Sequence, residues 1–134
     1  MLPRRRFLHR TPFEDRPPEA GSRRWLVAEL DRLTSGLVRR RDRQCITCGE
    51  RRGLQCSHFY SRRYLATRFD LQNCNAMCAE CNRRHNSDPE PYLRFMNERH
   101  GEGAVAELDR LRRDGRKVSD EELLQTLGWL KALT

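Results

Sequence analysis

Two Cys-x2-Cys pairs constrain the fold of this chain more than any other feature of its sequence. Cys45 and Cys48 form the first pair, and Cys78 and Cys81 form the second, with residues 49–77 between them. Two pairs of thiolates at this spacing supply the closed tetrahedral shell that structural Zn²⁺ sites use. The spacing therefore predicts a small domain held together by zinc, with disulfide bonds as the alternative use of the same cysteines.

The composition of the chain gives a second reason to expect a structural metal. Of the 134 residues, 37% are hydrophobic and 34% are charged, which leaves little material for a large apolar core. No apolar run is long enough to span a membrane, and the basic segment from Met1 to Arg10 lacks the apolar core of a signal peptide. We therefore expect a cytoplasmic protein, in which thiols stay reduced and paired cysteines bind metal.

The net charge of +8 predicts a polyanionic partner. Lys117 and Lys131 are the only lysines, so nearly all of the basic side chains are arginines. Arginine suits bidentate contacts with phosphate, and neutralising phosphates releases condensed counterions. DNA is the partner that we expect, either branched or duplex.

The sequence pattern divides the chain into a basic arm and one α+β domain. Residues 1–21 are rich in proline and arginine, and they predict a flexible arm that either lies on DNA or is a solvated tail. The domain over residues 22–134 comprises a helix (22–43), a zinc-containing core (44–88) and a helical tail (89–134).

The first helix is predicted over residues 23–41, with Ser22 as its N-cap. Its apolar stripe packs either on the parent domain or on a second subunit, and it consists of Leu26, Leu30, Leu33 and Leu37. In the core we expect strands over 54–59 and 71–77, a basic-aromatic loop over 62–69, and a helix over 78–86.

The helical tail is predicted from its start signals. Asp88 is expected to cap a helix whose first residue is Pro89 and which ends near Arg99. A second helix follows over 103–114, and a capping box of Ser119 and Glu122 begins the third.

Polar residues between and beside the cysteine pairs form a candidate catalytic constellation. His58 ends the first predicted strand, Asn73 precedes Cys78, and Asn82 directly follows Cys81. Helical spacing places His85 and Asn86 on the same face as Asn82. Metal-assisted phosphodiester hydrolysis needs such a set: a base that takes a proton from water, and oxygen or imidazole ligands for a divalent ion. Taken singly, His58 would more often be a structural histidine, Asn73 a turn residue and Asn82 a polar residue on a helix surface.

The order of these residues resembles the HNH superfamily in its His-Asn-Asn form and the zinc-containing endonuclease VII resolvases of phages. It is most similar to the NinG/Rap family of phage recombination endonucleases. The matching stretches are Leu37–Asp42, Cys45–Gly49, Leu54–Phe59, Ser61–Arg63, Arg68–Phe69 and Cys78–Asn82, with Tyr92 and Gly101–Glu102 in the tail.

This resemblance implies a ββα-metal fold and cleavage of branched DNA such as Holliday junctions and D-loops. It implies that His58 is the general base, that Asn73 orients it, and that Asn82 binds a catalytic Mg²⁺ or Mn²⁺. Ser57 stands where many HNH enzymes have a metal-binding Asp. The remaining ligands of the catalytic ion are therefore sought among His85, Asn86, Asp70 and Asp88.

The segment after His58 predicts contacts with DNA. Arg62, Arg63 and Arg68 are candidates for binding phosphates. The same segment contains the aromatic residues Tyr60, Tyr64 and Phe69. These residues either stack on DNA bases or fill the small core.

Cys56 and Cys74 lie outside the two pairs. Either they are small buried hydrophobic residues, or they form a second metal site or a redox-sensitive pair.

Two other functions compete with the resolvase interpretation. One is a zinc-dependent DNA-binding protein without activity, and the other is a general HNH nuclease acting on duplex DNA. A resolvase cuts two opposed strands, so we expect a homodimer of a phage or prophage protein.

Overall fold

The computed structural model describes residues 17–134. Within them the chain forms six helices and one two-stranded sheet, so the predicted α+β class is confirmed. In chain order the elements are α1 (Arg23–Asp42), β1 (Gln55–His58), α2 (Leu65–Arg68), β2 (Cys74–Met77), α3 (Ala79–Arg84), α4 (Glu90–Arg99), α5 (Glu102–Arg113) and α6 (Asp120–Ala132).

The two strands form an antiparallel hairpin in which His58 lies opposite Cys74 and Ser57 lies opposite Asn75. The amide of Phe59 donates to the carbonyl oxygen of Asn73 at 2.8 Å, one position beyond the strands. Hydrogen-bonded and non-hydrogen-bonded pairs alternate along such a ladder. His58 and Cys74 therefore form a non-hydrogen-bonded pair, the kind in which the side chains approach more closely.

Helix α1 packs against α6. Ser22 caps α1 as predicted, because its hydroxyl accepts from the amide of Trp25 at 3.2 Å. Leu26 and Leu30 are 1% and 0% exposed and lie in one cluster with Leu123, Leu127 and Leu130 of α6. Burying each leucine contributes roughly 1.5–3 kcal/mol. The predicted apolar stripe thus packs on the chain's own last helix.

Helix α4 holds the hairpin from the other side. Tyr92 and Met96, 1% and 0% exposed, are its buried residues. The Tyr92 hydroxyl donates to the carbonyl oxygen of Ser57 at 2.9 Å and accepts from the amide nitrogen of Asn75 at 3.1 Å. This polar network ties both strands to α4.

A buried carboxylate connects α1, β2 and α4. The side chain of Asp42 is 1% exposed and accepts from the amide of Ala76 at 2.8 Å, from Arg41 at 2.8 Å and from Arg99 at 2.7 Å. Burial alone would raise the pKa of Asp42, but these hydrogen bonds and the charge of Arg41 hold it below its usual value. A folded-state pKa below the unfolded one means that this contribution to stability is lost as the pH falls through the folded value.

Several predicted boundaries are corrected by the structure. Helix α4 begins at Glu90, and the side chain of Asp88 makes no capping hydrogen bond there, because Pro89 occupies the cap position. The segment predicted as a basic-aromatic loop contains the short helix α2. Ser119 accepts from the amide of Glu122 at 3.2 Å, but the Glu122 carboxylate bonds Arg116 at 2.6 Å. Residues 1–16 of the predicted arm lie outside the described part of the chain.

Among residues 17–134, none of the helices has the length and apolar character that crossing a membrane requires.

Candidate active site and metal centre

The two cysteine pairs come together as predicted. The sulfur atoms of Cys45, Cys48, Cys78 and Cys81 all lie within 4.8 Å of one another, and those of Cys48 and Cys78 are 3.7 Å apart. Tetrahedral Zn–S bonds of 2.3 Å place neighbouring sulfur atoms about 3.8 Å apart. The four cysteines could therefore hold a zinc ion with little movement.

The pKa values of these thiols indicate that the cluster needs a cation to ionise fully. Burial would raise the pKa of the Cys45 thiol, but hydrogen bonds from Thr47 and the local backbone lower it to about 6. A hydrogen bond from Thr47 lowers the pKa of Cys81, whereas burial and the sulfur atoms of Cys78 and Cys48 raise it to about 12. Thiols this close cannot all ionise unless a positive charge compensates them.

His58 is held by the backbone of α2. Its Nε2 lies 3.0 Å from the carbonyl oxygen of Arg68. A carbonyl only accepts, so Nε2 carries the proton and Nδ1 keeps the lone pair. Among the described residues Nδ1 has no hydrogen-bond partner, and it is not one of the unpaired atoms shut off from solvent there. Burial lowers the pKa of His58, which keeps the ring neutral at physiological pH.

Asn73 acts on the loop rather than on His58. Its side chain is fully buried, and Oδ1 accepts from the amide of Tyr60 at 2.9 Å. Nδ2 donates to the carbonyl oxygens of Tyr60 and Thr67, both at 3.1 Å. The expected direct orientation of His58 by Asn73 is therefore corrected: Arg68 supplies the hydrogen bond, and Asn73 fixes the loop that carries Arg68.

A cleft of about 570 Å³ brings the predicted site residues of β1 and α3 together. It is lined by His58, Asn82, His85 and Asn86, and His58 and Asn82 also line an adjoining cleft. The side-chain nitrogen of Asn82 donates to Gln55 Oε1 at 3.0 Å, which leaves its oxygen free to bind a cation. Asn86 is exposed.

His85, expected as a ligand, is committed to the fold instead. Its Nε2 lies 3.0 Å from the carbonyl oxygen of Phe59, and its Nδ1 is buried without a partner in the described chain. The ring packs 4.7 Å from the Tyr92 ring and 5.5 Å from that of Phe59, measured between centroids. Neither nitrogen is open to the cleft, so His85 positions α3 against β1.

Ser57, Asp70 and Asp88 do not contribute to this cleft. Ser57 neighbours His58 in β1 and therefore points to the opposite face, where it is 0% exposed. Asp70 and Asp88 line other depressions, and Asp70 Oδ1 accepts from the amide of Gln72 at 2.9 Å. The two clefts that His58 shares with Asn82 have no acidic residue among their lining residues in the described chain. A third depression at His58 includes Asp31, which is paired with Arg68.

The three arginines predicted to bind phosphate differ in their surroundings. Arg68 is only 17% exposed and forms a bidentate ion pair with Asp31, at 2.9 and 2.6 Å. The side chain of Arg62 is 63% exposed, lines the cleft and also contacts Asp31, at 3.2 Å. Arg63 is exposed. Arg68 therefore stabilises the loop, and Arg62 and Arg63 are the exposed members.

The aromatic residues of this segment are largely occupied within the fold. Phe69 is buried in the core between α1 and α6. The guanidinium of Arg112 lies 4.4 Å from the ring centroid of Tyr60 and 5.5 Å from that of Tyr64. Phe69 thus fills the core, and the Arg112 guanidinium already packs over the rings of both tyrosines.

Sequence reasoning missed three residues that shape the site. Asp31 anchors Arg68, whose carbonyl holds His58. Gln55 positions the Asn82 amide, and the exposed Arg83 lines the cleft beside it. Asp31 is remote in sequence, so no local pattern pointed to it. Arg83 carried a usable signal, because it directly follows Asn82 on α3.

The two remaining cysteines lie beside His58. The ligand atoms of Cys56, His58 and Cys74 are all within 4.8 Å of one another. Cys74 is fully buried and donates from its sulfur to the Arg68 carbonyl oxygen at 3.2 Å, whereas Cys56 is half-buried and lines the cleft.

Comparison with known proteins identifies a family. Neither the curated proteins nor the solved structures contain a match to this chain. The family model described as bacteriophage lambda NinG protein matches residues 9–132. The matched segment includes the four paired cysteines and every residue that lines the cleft at His58. Because this match spans nearly the whole sequence, the chain belongs to the bacteriophage lambda NinG family.

Proposed function

We propose that the protein is a metal-dependent endonuclease that hydrolyses phosphodiester bonds in branched DNA, such as Holliday junctions and D-loops. The observation that carries the proposal is the state of His58. Its Nε2 is bound by a backbone carbonyl, its Nδ1 is unpaired in the described chain, and its ring lines a cleft with Asn82 and Asn86. A neutral imidazole with one free lone pair at a solvent-filled cleft is a general base.

Each residue of the cleft has a part in this reaction. His58 Nδ1 takes a proton from the water that attacks the phosphorus atom, and the Arg68 carbonyl keeps the ring in the required tautomer. Asn82 and Asn86 would hold Mg²⁺ or Mn²⁺ through their amide oxygens, which are hard ligands of the kind these ions prefer. When bound, such an ion stabilises negative charge on the phosphate and on the leaving oxygen. Arg62 and Arg83 are placed to contact the DNA backbone at the cleft.

We assign the hairpin and α3 as a ββα-metal core of HNH type with a structural zinc ion. The zinc would be bound by Cys45, Cys48, Cys78 and Cys81, whose sulfur atoms are already close enough. Cys78 and Cys81 belong to the N-cap and the first turn of α3, and Asn82 follows directly. A zinc ion there would fix the helix that presents Asn82 to the cleft.

The preference for branched DNA and the dimeric state belong to the same proposal. A net charge of +8 supports a DNA partner. The chain belongs to a phage family, and the resemblance of its motifs to phage recombination endonucleases is the basis for a role in recombination. Resolving a junction requires cuts in two opposed strands, and a homodimer would supply two active sites. In this role the protein would act in the cytoplasm of the phage's host cell.

A zinc-dependent DNA-binding protein without catalytic activity is the second candidate. One observation favours it: within the described chain, the lining of the two clefts that His58 shares with Asn82 contains no carboxylate, and Ser57 is turned away. Amides alone bind a divalent cation more weakly than carboxylates do. This candidate predicts tight binding of junction DNA without cleavage.

The test uses labelled four-way junction, D-loop and linear duplex DNA, each with Mg²⁺, Mn²⁺ or EDTA. We expect cutting of the branched substrates only, with a requirement for metal, and loss of cutting in His58→Ala. His100→Ala is the control, because His100 lies outside the cleft lining. Equal cutting of all three substrates would indicate a general nuclease. Binding without cutting would support the DNA-binding protein, and full activity of His58→Ala would refute the role of His58.

A further inference from the structure

A second group of metal-ligating side chains lies on the face of the hairpin that packs against α1. Cys56, His58 and Cys74 have their ligand atoms within 4.8 Å of one another. The three share one face of the sheet, because residues 56 and 58 alternate with Ser57 and residue 74 lies opposite residue 58. They are distinct from the four cysteines assigned to the structural zinc ion.

The strand geometry brings these groups together without distortion. His58 and Cys74 form a non-hydrogen-bonded pair, in which opposite Cα atoms are typically about 4.5 Å apart. Cys56 lies opposite Ala76, so its sulfur atom approaches that of Cys74 diagonally across the two strands. Tetrahedral zinc with two sulfur ligands and one nitrogen ligand needs separations of about 3.5–3.8 Å. Because the present separations are at most 4.8 Å, small side-chain rotations that shorten them by roughly 1.0–1.3 Å at most reach that geometry.

We propose that this group is a second Zn²⁺ site, formed by the sulfur atoms of Cys56 and Cys74 and by the imidazole of His58. Two thiolates and an imidazole select zinc over Mg²⁺ and Mn²⁺, which prefer oxygen ligands. Binding releases the thiol protons to solvent and involves no change of oxidation state.

The surroundings provide the remaining coordination and a route of entry. The Arg68 carbonyl oxygen lies 3.0 Å from His58 Nε2 and 3.2 Å from Cys74 Sγ, so an oxygen atom already stands beside both ligands. Cys56 and His58 line the open cleft, and water from it is the other candidate for the fourth position. The charged groups that line the adjoining depression against α1 are Asp31, Arg39 and Arg62.

Occupation of this site would silence the general base, a consequence that rests on the proposed function. A neutral imidazole has one lone pair, and whichever nitrogen binds zinc, the other one carries the proton. His58 then has no lone pair left for a water molecule. Zinc bound at this site would therefore inhibit the cleavage activity that Mg²⁺ or Mn²⁺ supports in the same cleft.

The decisive experiment counts zinc ions per chain. The reduced full-length protein is equilibrated with excess Zn²⁺, desalted and analysed by elemental mass spectrometry, and circular dichroism verifies that each variant is folded. We expect two ions in the wild type and one in Cys56→Ser, with Cys74→Ala as a second variant in case the first does not fold. Ser57→Ala is the matched control, since it changes the same strand on the opposite face, and it should retain two ions.

One ion in the wild type, or two ions in folded Cys56→Ser and Cys74→Ala, would overturn the proposal. This count needs no nuclease activity, so its result stays separate from the failure of the proposed function. If the protein cuts DNA, zinc added to a Mg²⁺ reaction should inhibit the wild type. The zinc concentration for half-inhibition, relative to each variant's own zinc-free rate, should rise at least about tenfold in Cys56→Ser. An unchanged concentration would refute the inhibitory role.

Discussion

Replacing Asn73 with aspartate tests whether this residue holds the loop between β1 and α2. The two side chains are nearly isosteric, so Asn73→Asp keeps the acceptor for the Tyr60 amide. It also turns the donor that faces the carbonyl oxygens of Tyr60 and Thr67, both at 3.1 Å, into an acceptor. The variant loses two hydrogen bonds of about 1 kcal/mol each and leaves the Tyr60 carbonyl without its donor, whereas the Thr67 carbonyl still accepts from the amide of Asp70 at 3.2 Å. We therefore expect the free energy of unfolding to fall by about 3 kcal/mol at pH 8.

The loss should depend on pH in a defined direction. Burial beside two carbonyls raises the pKa of the new carboxyl in the folded state. A folded-state pKa above the unfolded one adds stability that is present at low pH and is lost as the pH rises through the folded value. The protonated form can donate to one carbonyl, so the destabilisation should be smaller at pH 5.5 by about 1–2 kcal/mol. Urea unfolding followed by circular dichroism measures both values.

Asn75→Asp is a matched control, because Asn75 is equally buried and lies two residues away. Its Oδ1 accepts from Arg41 at 3.0 Å, so a carboxylate there has a cation to compensate it. This control also loses donated hydrogen bonds, those from Asn75 Nδ2 to the Gln72 carbonyl oxygen and the Tyr92 hydroxyl. The comparison is therefore made on pH dependence, which we expect to be weaker than in Asn73→Asp. If Asn73→Asp shows no dependence on pH, or depends on pH no more than Asn75→Asp does, the assignment of the Asn73 hydrogen bonds is refuted.

Three other outcomes are expected. Removing zinc with a strong chelator should unfold the core, because binding of structural zinc contributes on the order of 10 kcal/mol of stability. An unchanged melting curve would contradict the zinc site at Cys45, Cys48, Cys78 and Cys81. Burial lowers the pKa of His58, and a general base must be neutral. We therefore expect kcat/KM for DNA cleavage to fall on acidification only below about pH 6.5. A midpoint at or above that pH would contradict the assignment of His58 as the base. Arg63→Gln should reduce the slope of log K against log salt concentration for DNA binding by about one, without changing stability, as salt titrations would measure. Arg68→Gln should instead lower the free energy of unfolding measured in urea, because Arg68 is paired with Asp31.

The position of His58 depends on contacts that form a chain across the fold. Asp31 on α1 holds the Arg68 side chain, and the Arg68 carbonyl holds the His58 ring. Asn73 supports the same loop from inside the hairpin. The proposed general base is therefore fixed by α1, α2 and the segment before β2, which explains why a domain with a small sheet can keep one imidazole in a defined tautomer.

The local features of this protein could be predicted from its sequence. The Cys-x2-Cys spacing identified the four cysteines that come together, and the capping hydroxyls of Ser22 and Ser119 marked the starts of α1 and α6. The leucine periodicity identified the buried face of α1. The spacing within each cysteine pair, the caps and the periodicity depend on residues a few positions apart, so short-range geometry sets them. The shared chemistry of the two cysteine pairs then indicated that they would meet.

The partners of each polar group were decided by the tertiary structure alone. Sequence proximity made His85 a candidate ligand, but the Phe59 carbonyl binds its Nε2, and Arg68 forms an ion pair with Asp31 instead of lying free. Strand register turned Ser57 inward and placed Cys56 and Cys74 around His58. A hydrogen bond or an ion pair forms between groups within about 3 Å, and residues distant in the chain reach that separation only after the hairpin and helices have packed.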